Sequence, residues 1–350
     1  MSAGGPADAL SFVVATHNVA RHVEATLDSL LAAASPADEI IVVDDGSLDD
    51  TAARVAAHPA ATAGRLKLLR QANQGVATTR LNGLAQASRP YVLFFDGDDL
   101  LQAGSLELVR AALREHAPDI VLFDFDFYWA PPQERSERSP PRTHPPRTLL
   151  HDAEGWLVQA YDDAISALWS RVVRRSLYDA VLTLRCPRWS IYEDLAASPH
   201  VLAAARSLVY VPVPVVKYRQ RSDSLSTIRS VNACENLVRS ALFAAEARSA
   251  LPASRSVTDA AWRLVARKLV EAVRRAGEAG ARADEIHKRL LQPVLHAIGP
   301  DFGSTLRQLQ ASTRSGDRRI AQHLAHIGRW PRLYAAWRVA LGRYKARRRG

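Results

Sequence analysis

A chain of 350 residues, of which 47% are hydrophobic and 23% are charged, can form one large or two smaller hydrophobic cores, which excludes a mainly disordered protein. The first residues lack the pattern of a secretory signal peptide, and no apolar run is long enough to cross a bilayer. We therefore expect a cytoplasmic protein. The two cysteines, Cys186 and Cys234, are expected to be separate buried thiols.

The net charge of +10 is distributed unevenly along the chain. Residues 1–130 contain 9 Lys and Arg against 17 Asp and Glu, a net charge of −8, whereas residues 231–350 contain 23 against 9, a net charge of +14. An acidic first part favours a cation or a polar substrate, and a basic last part favours an anionic surface. The two ends of the chain are thus expected to bind different partners.

From Leu10 onwards, buried-type strands alternate with amphipathic helices. This alternation predicts an α/β fold with a mostly parallel sheet flanked by helices, and such sheets bind ligands at the carboxyl ends of their strands. The predicted strands are LSFVVAT (10–16), EIIVVDD (39–45), RLKLLRQ (65–71), YVLFFD (91–96) and DIVLFDFDFYW (119–129), and the predicted helices are 19–34, 48–58, 75–87 and 105–116.

The pattern changes after Trp129. Residues 130–147 are rich in proline and charge, which predicts an exposed loop or flap. A strand at 207–219 contains prolines that indicate an edge position, and beyond Ser230 the sequence is helical and basic. We expect two domains, residues 1–230 and residues 231–350.

One predicted strand runs directly into three carboxylates, Asp96, Asp98 and Asp99, with only Gly97 between them. Carboxylates this close repel one another unless a positive or donor-rich group lies against them. No glycine-rich phosphate motif follows the first strand, so a nucleotide site here needs another source of positive charge. A divalent cation between the carboxylates and a diphosphate would supply it, although a solvated acidic turn has the same sequence pattern.

Five segments in a fixed order extend this interpretation. They are VDDGS (43–47), NQGVATTRLNG (73–83), FFDGDD (94–99), YEDL (192–195) and KYRQRSDSLS (217–226). The ordered set resembles the inverting glycosyltransferases of family 2, which have the GT-A fold and build bacterial polysaccharides and other cell-surface glycans. The residues Ala15-Thr16-His17-Asn18 differ from the Pro-x-Tyr-Asn that is common in the family at the end of the first strand.

The resemblance implies a binding site for a nucleoside-diphosphate sugar. Asp45 would accept a hydrogen bond from the base, and Asp44 and Ser47 would shape the same turn. Thr16 would line the base pocket, and Arg80 would contact the nucleotide. The alternatives are a capped turn for residues 44–47 and a surface ion pair for Arg80.

The remaining implied roles concern the metal and the acceptor. Asp96 would contact the ribose and a Mn²⁺ or Mg²⁺ ion, and Asp98 would bind that ion directly. Asp99 would orient the acceptor, and Trp169 would lie near it. A tryptophan at this position is also compatible with a core residue.

Catalysis of an inverting transfer needs a base that takes the proton from the acceptor hydroxyl. The resemblance assigns this role to Asp194, with Glu193 beside it; the alternative is an exposed helix start, where acids are favoured. Arg219, Arg221 and Ser224 resemble the family's segment after this acid pair. Because arginine can bond two phosphate oxygens together, they would bind either the donor diphosphate or a phosphate on the acceptor. They are equally compatible with a solvated edge strand.

The last 22 residues, RWPRLYAAWRVALGRYKARRRG (329–350), combine apolar and basic residues at helical spacing. The apolar positions are Trp330, Leu333, Tyr334, Trp337, Leu341 and Tyr344. A basic amphipathic helix of this kind suits an anionic membrane surface, and it could also bind a partner protein or pack on its own domain. Nucleic acid is a less favoured partner.

The sequence therefore predicts a metal-dependent, inverting glycosyltransferase at the inner face of the cell membrane. It would move a hexosyl or N-acetylhexosaminyl group from a UDP-linked donor to a hydroxyl of a growing surface polysaccharide or lipid-linked glycan. One alternative is a non-catalytic scaffold of the same fold that acts through its basic tail. A nucleotidyltransferase is disfavoured because no glycine-rich, basic stretch follows the first strand.

Overall fold

The computed structural model describes residues 7–130, 134–140, 144–163, 167–185, 191–221, 230–312 and 316–347. The chain forms two compact units. The first comprises Met1–Ala153, Ala167–Ser190 and Ala204–Ser222, and the second comprises Glu154–Ser166, Ile191–Ala203 and Asp223–Gly350. A division at residue 230 places two short segments with the first domain, whereas the structure groups both of them with the C-terminal helices.

The described strands of the first unit form one sheet. The strands are β1 (Leu10–Thr16), β2 (Glu39–Asp45), β3 (Leu66–Gln71), β4 (Tyr91–Asp96), β5 (Leu100–Leu101), β6 (Ile120–Trp129), β7 (Arg135–Arg138), β8 (Leu149–Leu150), β9 (Arg171–Arg174) and β10 (Leu208–Arg219). Their order is β3-β2-β1-β4-β9-β6-β10-β5, with β7 on β6 and β8 on β10. The long pairings are parallel, as expected, and the short strand β9 lies antiparallel between β4 and β6.

Helices cover the sheet and form the second unit. They are α1 (Val23–Ala33), α2 (Thr51–Ala57), α3 (Pro59–Thr62), α4 (Val76–Leu84), α5 (Leu106–His116), α6 (Ala153–Asp163), α7 (Arg175–Arg185), α8 (Glu193–Ala204), α9 (Val231–Glu246), α10 (Arg255–Glu278), α11 (Ala283–Ile286), α12 (Gln292–Ile298), α13 (Phe302–Ala311), α14 (Asp317–Arg329) and α15 (Pro331–Arg347). No described helix is both long and apolar enough to cross a membrane.

Strands β1, β2 and β4 are buried along nearly their whole length, which is why they appear in the sequence as continuous apolar runs. Helix α4 packs on β1 and β2 through Gly83. A Cβ atom added at Gly83 would lie 2.2 Å from Cγ1 of Val13, so only glycine allows this close approach. The contact fixes the position of α4, which carries Arg80.

Two expectations about the sheet are wrong. The predicted loop at 130–147 contains β7, which pairs with β6. Strand β10 is not a simple edge strand, because β8 pairs with its beginning and β5 with its end. The register of β10 against β6 shifts on both sides of Pro214, so a strand irregularity accommodates this missing N–H donor.

The second unit is helical, as the sequence predicts for the C-terminal part. Its longest helix, α10, has an almost entirely apolar buried face, and Ser254 caps its N-terminus by accepting a hydrogen bond from the Val257 amide. The thiol of Cys234 is buried in α9 as expected, and burial raises its pKa to about 11. Cys186 lies outside the described residues.

Candidate functional site

The polar residues that follow the parallel strands meet at one edge of the sheet. Thr16 at the end of β1 lies opposite Asp44 on β2, and Ala15 lies opposite Asp96 on β4. Because these strands are parallel and in register, their carboxyl ends fall together. The fold thus brings the predicted base-binding and metal-binding segments to neighbouring strand ends.

The turn after β2 is held by its own side chains. Asp44 is fully buried, and its Oδ1 accepts a hydrogen bond from the Ser47 hydroxyl at 2.5 Å. The Ser47 hydroxyl oxygen accepts in turn from the Asn18 amide at 3.0 Å. Gly46 has φ 67°, and a Cβ there would lie 2.8 Å from the Asn73 nitrogen. Asp44 and Ser47 thus hold this turn, and their role in binding a nucleotide-sugar stays a prediction.

Asp45 anchors the segment that leads into α4. Its carboxylate accepts hydrogen bonds from the Gln74 amide at 2.8 Å, the Gly75 amide at 2.9 Å and the Gln71 side chain at 2.8 Å. The neighbouring Thr16 donates its hydroxyl proton to Val43 O at 3.2 Å. Both side chains are engaged with the protein itself, so their contacts to a base stay predictions.

Arg80 on α4 forms an ion pair with Asp96. Its Nη2 donates to Asp96 Oδ1 at 2.8 Å, and the guanidinium is buried, whereas 27% of the Asp96 side chain is exposed. A buried arginine against a half-exposed carboxylate differs from the surface ion pair that the sequence also allowed. The exposed part of the Asp96 side chain is open to a ligand at the strand end, and contact of the buried Arg80 with a nucleotide stays a prediction.

Asp98 is held from the end of β10. Arg221 Nε lies 3.0 Å from Asp98 Oδ2, and Arg219 Nε donates to the Asp98 carbonyl at 2.6 Å. Burial raises the pKa of Asp98 to about 6; the Arg221 charge opposes this rise, and the negative charge of Asp96 adds to it. Keeping Asp98 ionised in this position therefore lowers the stability of the fold.

Asp99 is buried more deeply, with 1% of its surface exposed. Its Oδ1 accepts a hydrogen bond from the Arg219 amide at 2.8 Å, and its Oδ2 has no hydrogen-bond partner within the described part of the chain. Burial and the charges of Asp98 and Asp96 raise the pKa of Asp99 well above its usual range. Such burial leaves little surface for contact with an acceptor, and that role stays a prediction.

The acidic turn is the predicted site of a divalent cation. Its two partly exposed carboxylates, Asp96 and Asp98, have oxygen ligands of the kind that Mg²⁺ and Mn²⁺ prefer. Among the residues described, no group of three or more His, Cys, Asp or Glu side chains could hold a metal ion. A cation here would therefore need further oxygen ligands, which the phosphates of a nucleotide can provide.

Glu193 and Asp194 lie in the second unit, in the first turn of α8. Glu193 is buried and Asp194 is half-buried. The preceding Tyr192 has φ 67°, a left-handed conformation that is strained for a bulky residue. The Tyr192 hydroxyl accepts a hydrogen bond from Arg275 Nη1 at 2.8 Å, and Arg275 also pairs with Glu271. This network fixes the start of α8, and the catalytic role of its acids stays a prediction.

Trp169 is buried in the core of the first unit. Its ring stacks on Tyr218 at 4.9 Å and meets the edge of Phe125 at 4.8 Å between ring centroids. Any contact with an acceptor would involve only the small exposed edge of the ring. Ser224 lies outside the described residues, so its predicted role is not addressed.

Sequence reasoning missed three structural features of the site, at Thr26, Gly97 and Asn18. The Thr26 hydroxyl of α1 lies 2.8 Å from Asp99 O and 3.0 Å from Gly97 O, and thereby supports the acidic turn. A Cβ at Gly97 would lie 2.5 Å from Thr16 Cγ2, so glycine is required there. Asn18 has φ 52°, a left-handed conformation that asparagine adopts more readily than most residues. The asparagine after the first strand was therefore the one sequence signal for this turn.

Residues 11–182 match the family described as Glycosyl transferase family 2. The chain is 24% identical over 229 residues to the cholesterol galactosyltransferase of Borreliella burgdorferi, and 28% identical over 224 residues to the uncharacterized glycosyltransferase EpsJ of Bacillus subtilis. Each alignment covers 63% of this chain and 63% of the relative, so the chain spans less than two thirds of the length of these relatives.

Solved structures show the same fold. S. aureus TarS 1–349 in complex with UDP has a TM-score of 0.66 at 18% identity, and its complex with UDP-GlcNAc has a TM-score of 0.65 at 17% identity. Both comparisons cover 91% of this chain and 91% of TarS 1–349. The likeness confirms the GT-A fold with a helical C-terminal region that the sequence predicts.

Proposed function

We propose that this chain, which belongs to glycosyltransferase family 2, transfers a sugar with inversion from a UDP-linked donor to a hydroxyl of a surface polysaccharide or lipid-linked glycan. The observation that carries the proposal is the acidic turn at the end of β4. Two of its carboxylates pair with arginine side chains, Asp96 with Arg80 and Asp98 with Arg221, and the Arg219 side chain donates to the Asp98 backbone carbonyl. Such alternating charges can bind a diphosphate together with a cation.

The donor would bind across the carboxyl ends of β1, β2 and β4. The β2 turn would hold the base through Asp45, and Arg80 would contact the nucleotide near Asp96. Asp96 and Asp98 would hold Mn²⁺ or Mg²⁺. When bound, that ion would neutralise negative charge on the diphosphate. Arg219 and Arg221, which lie against the acids, are the positive groups that the chain itself can offer to the phosphates.

The transfer itself requires a proton acceptor. Asp194, supported by Glu193, would remove the proton from the acceptor hydroxyl. The resulting oxygen would form a bond to the anomeric carbon of the sugar. The bond from that carbon to the phosphate oxygen breaks, and UDP leaves with the electron pair. The position of Asp194 in the first turn of a helix supports this role, because the chain places both acids of the motif in one rigid element.

The experiment is a donor screen with the full chain. UDP-glucose, UDP-galactose, UDP-GlcNAc and UDP-GalNAc are incubated with Mn²⁺, and UDP release is measured with and without lipid-linked acceptors. We expect release from one donor, with Asp194→Asn at least a hundredfold slower at unchanged UDP affinity. UDP release by Asp194→Asn at the wild-type rate would contradict the assignment of the base, and no release from any donor would favour a non-catalytic role.

A further inference from the structure

The C-terminal helices expose an apolar surface that the fold does not cover. Trp330, Leu333 and Trp337 are 52%, 65% and 48% exposed, and Leu48 is the one other large hydrophobic residue so exposed in the described part of the chain. With the exposed arginines around them, these three side chains form what we call the C-terminal face. Exposed aromatic and aliphatic side chains grouped in this way mark interaction sites.

The C-terminal face is not the core side of α15. That helix packs on α10 through Tyr334, Ala335, Arg338 and Val339, all of them buried. A Cβ at Gly277 on α10 would lie 2.7 Å from Arg338 O, so the two helices are in close contact. At about 100° per residue, Leu333 and Trp337 lie roughly 150° around α15 from the centre of this buried sector, on its outer side. The apolar positions of the predicted amphipathic helix therefore do not all lie on one face, since Tyr334 is buried on the packed side and Leu333 and Trp337 are exposed.

The chain segment that carries this face is rich in basic residues. Residues 318–350 contain ten Lys and Arg and no Asp or Glu. Arg318, Arg319, Arg329 and Arg332 are exposed among the described residues. The guanidinium of the exposed Arg329 lies 5.7 Å from the ring centre of Trp330. The aromatic groups and the positive charges thus occupy the same surface.

We propose that the C-terminal face binds the surface of an anionic lipid bilayer, with α15 lying in the interface. Tryptophan suits the headgroup level of a bilayer, and each basic residue near anionic lipid adds binding energy. The aliphatic side chain of Leu333 is the most exposed of the three and would gain from burial among acyl chains. Nucleic acid would offer stacking to the tryptophans but no comparable apolar environment for Leu333.

The test is co-sedimentation of the full chain with vesicles of phosphatidylcholine, alone or mixed with phosphatidylglycerol. We expect binding to the mixed vesicles only, and weaker binding as salt is raised. The double variant Trp330→Ala/Trp337→Ala should bind at least tenfold more weakly. The matched control is Leu48→Ala, which removes a side chain that is 94% exposed in the other unit and should bind like the wild type.

A second variant guards against effects on folding. Arg329→Ala/Arg332→Ala alters only exposed side chains, and it should lower binding roughly 25-fold at low salt, about fivefold per charge. Equal binding to both kinds of vesicle, or wild-type binding by both double variants, would overturn the proposal. Displacement of the protein from vesicles by a short single-stranded oligonucleotide at equal charge concentration would also overturn it, in favour of nucleic acid. None of these outcomes depends on sugar transfer.

Discussion

The acidic turn should reduce the stability of the metal-free protein at neutral pH. Asp98 has a pKa raised from its ordinary value of 3.8 to about 6, chiefly by burial. The folded chain therefore holds this proton more tightly than the unfolded chain. Stability from this group is full below pH 3.8 and is lost as the pH rises through 6. The difference corresponds to about 3 kcal/mol of unfolding free energy at pH 7.5.

The variant Asp98→Asn removes this titration with almost no change of shape. In the presence of EDTA, we expect Asp98→Asn to be more stable than the wild type by up to about 3 kcal/mol at pH 7.5, and the two to converge near pH 4. Urea denaturation at several pH values measures this difference. The control is Asp126→Asn, which removes an Asp–Arg pair of similar length, 2.8 Å to Arg138, outside the acidic turn.

A lower stability of Asp98→Asn than of the wild type at pH 7.5 would contradict this prediction. That result would mean that the attraction of Arg221 outweighs the burial of the carboxylate. A stabilisation of the same size in Asp126→Asn would show instead that the effect is general to buried carboxylates of this sheet.

Two further variants test the supports of the site. Gly83→Ala would place a Cβ 2.2 Å from Val13 and should lower the unfolding free energy, measured by urea denaturation, by about 1–3 kcal/mol. The control is Gly303→Ala, in which the added Cβ would lie 3.6 Å from the nearest atom. This variant should be as stable as the wild type or more stable. Arg275→Met should lower kcat about tenfold at unchanged UDP affinity, because it frees Tyr192 at the start of α8, and Arg275→Lys should restore part of the rate. Gly83→Ala protein as stable as the wild type would contradict the first expectation. A loss of UDP affinity in Arg275→Met as large as its loss of kcat would contradict the second.

The main strands could be predicted from the sequence because they are buried on both faces. Strand β1 agrees with its predicted bounds, since an apolar run of that length has few alternatives. Strand β9 was missed because its four residues, RVVR, carry an arginine at each end. One of these arginines, Arg174, pairs with Asp119, which is far away in the sequence. The local sequence pattern does not show which distant residues pair with a charged strand end.

The residues of the site could be predicted from the sequence, but the pairing of its acids with particular arginines could not. The sequence indicated a cation as the partner of the acidic turn. In the structure, the side chain of Arg221 reaches Asp98 across more than a hundred residues of chain, and Arg80 reaches Asp96 from a neighbouring helix. The grouping of 191–203 with the C-terminal helices depends on similar long-range contacts. Contacts of this kind depend on the tertiary fold, and no periodicity or motif encodes them.

Calorimetric titration of UDP, with and without Mn²⁺, tests the central claim most directly. We predict that wild-type protein binds UDP only when Mn²⁺ is present, that Asp98→Ala loses this binding, and that Asp194→Ala keeps it while losing sugar transfer. GDP, CDP and ADP serve as controls for the base. The prediction is contradicted if Asp98→Ala binds UDP and Mn²⁺ with wild-type affinity. It is also contradicted if the wild type binds none of the four diphosphates.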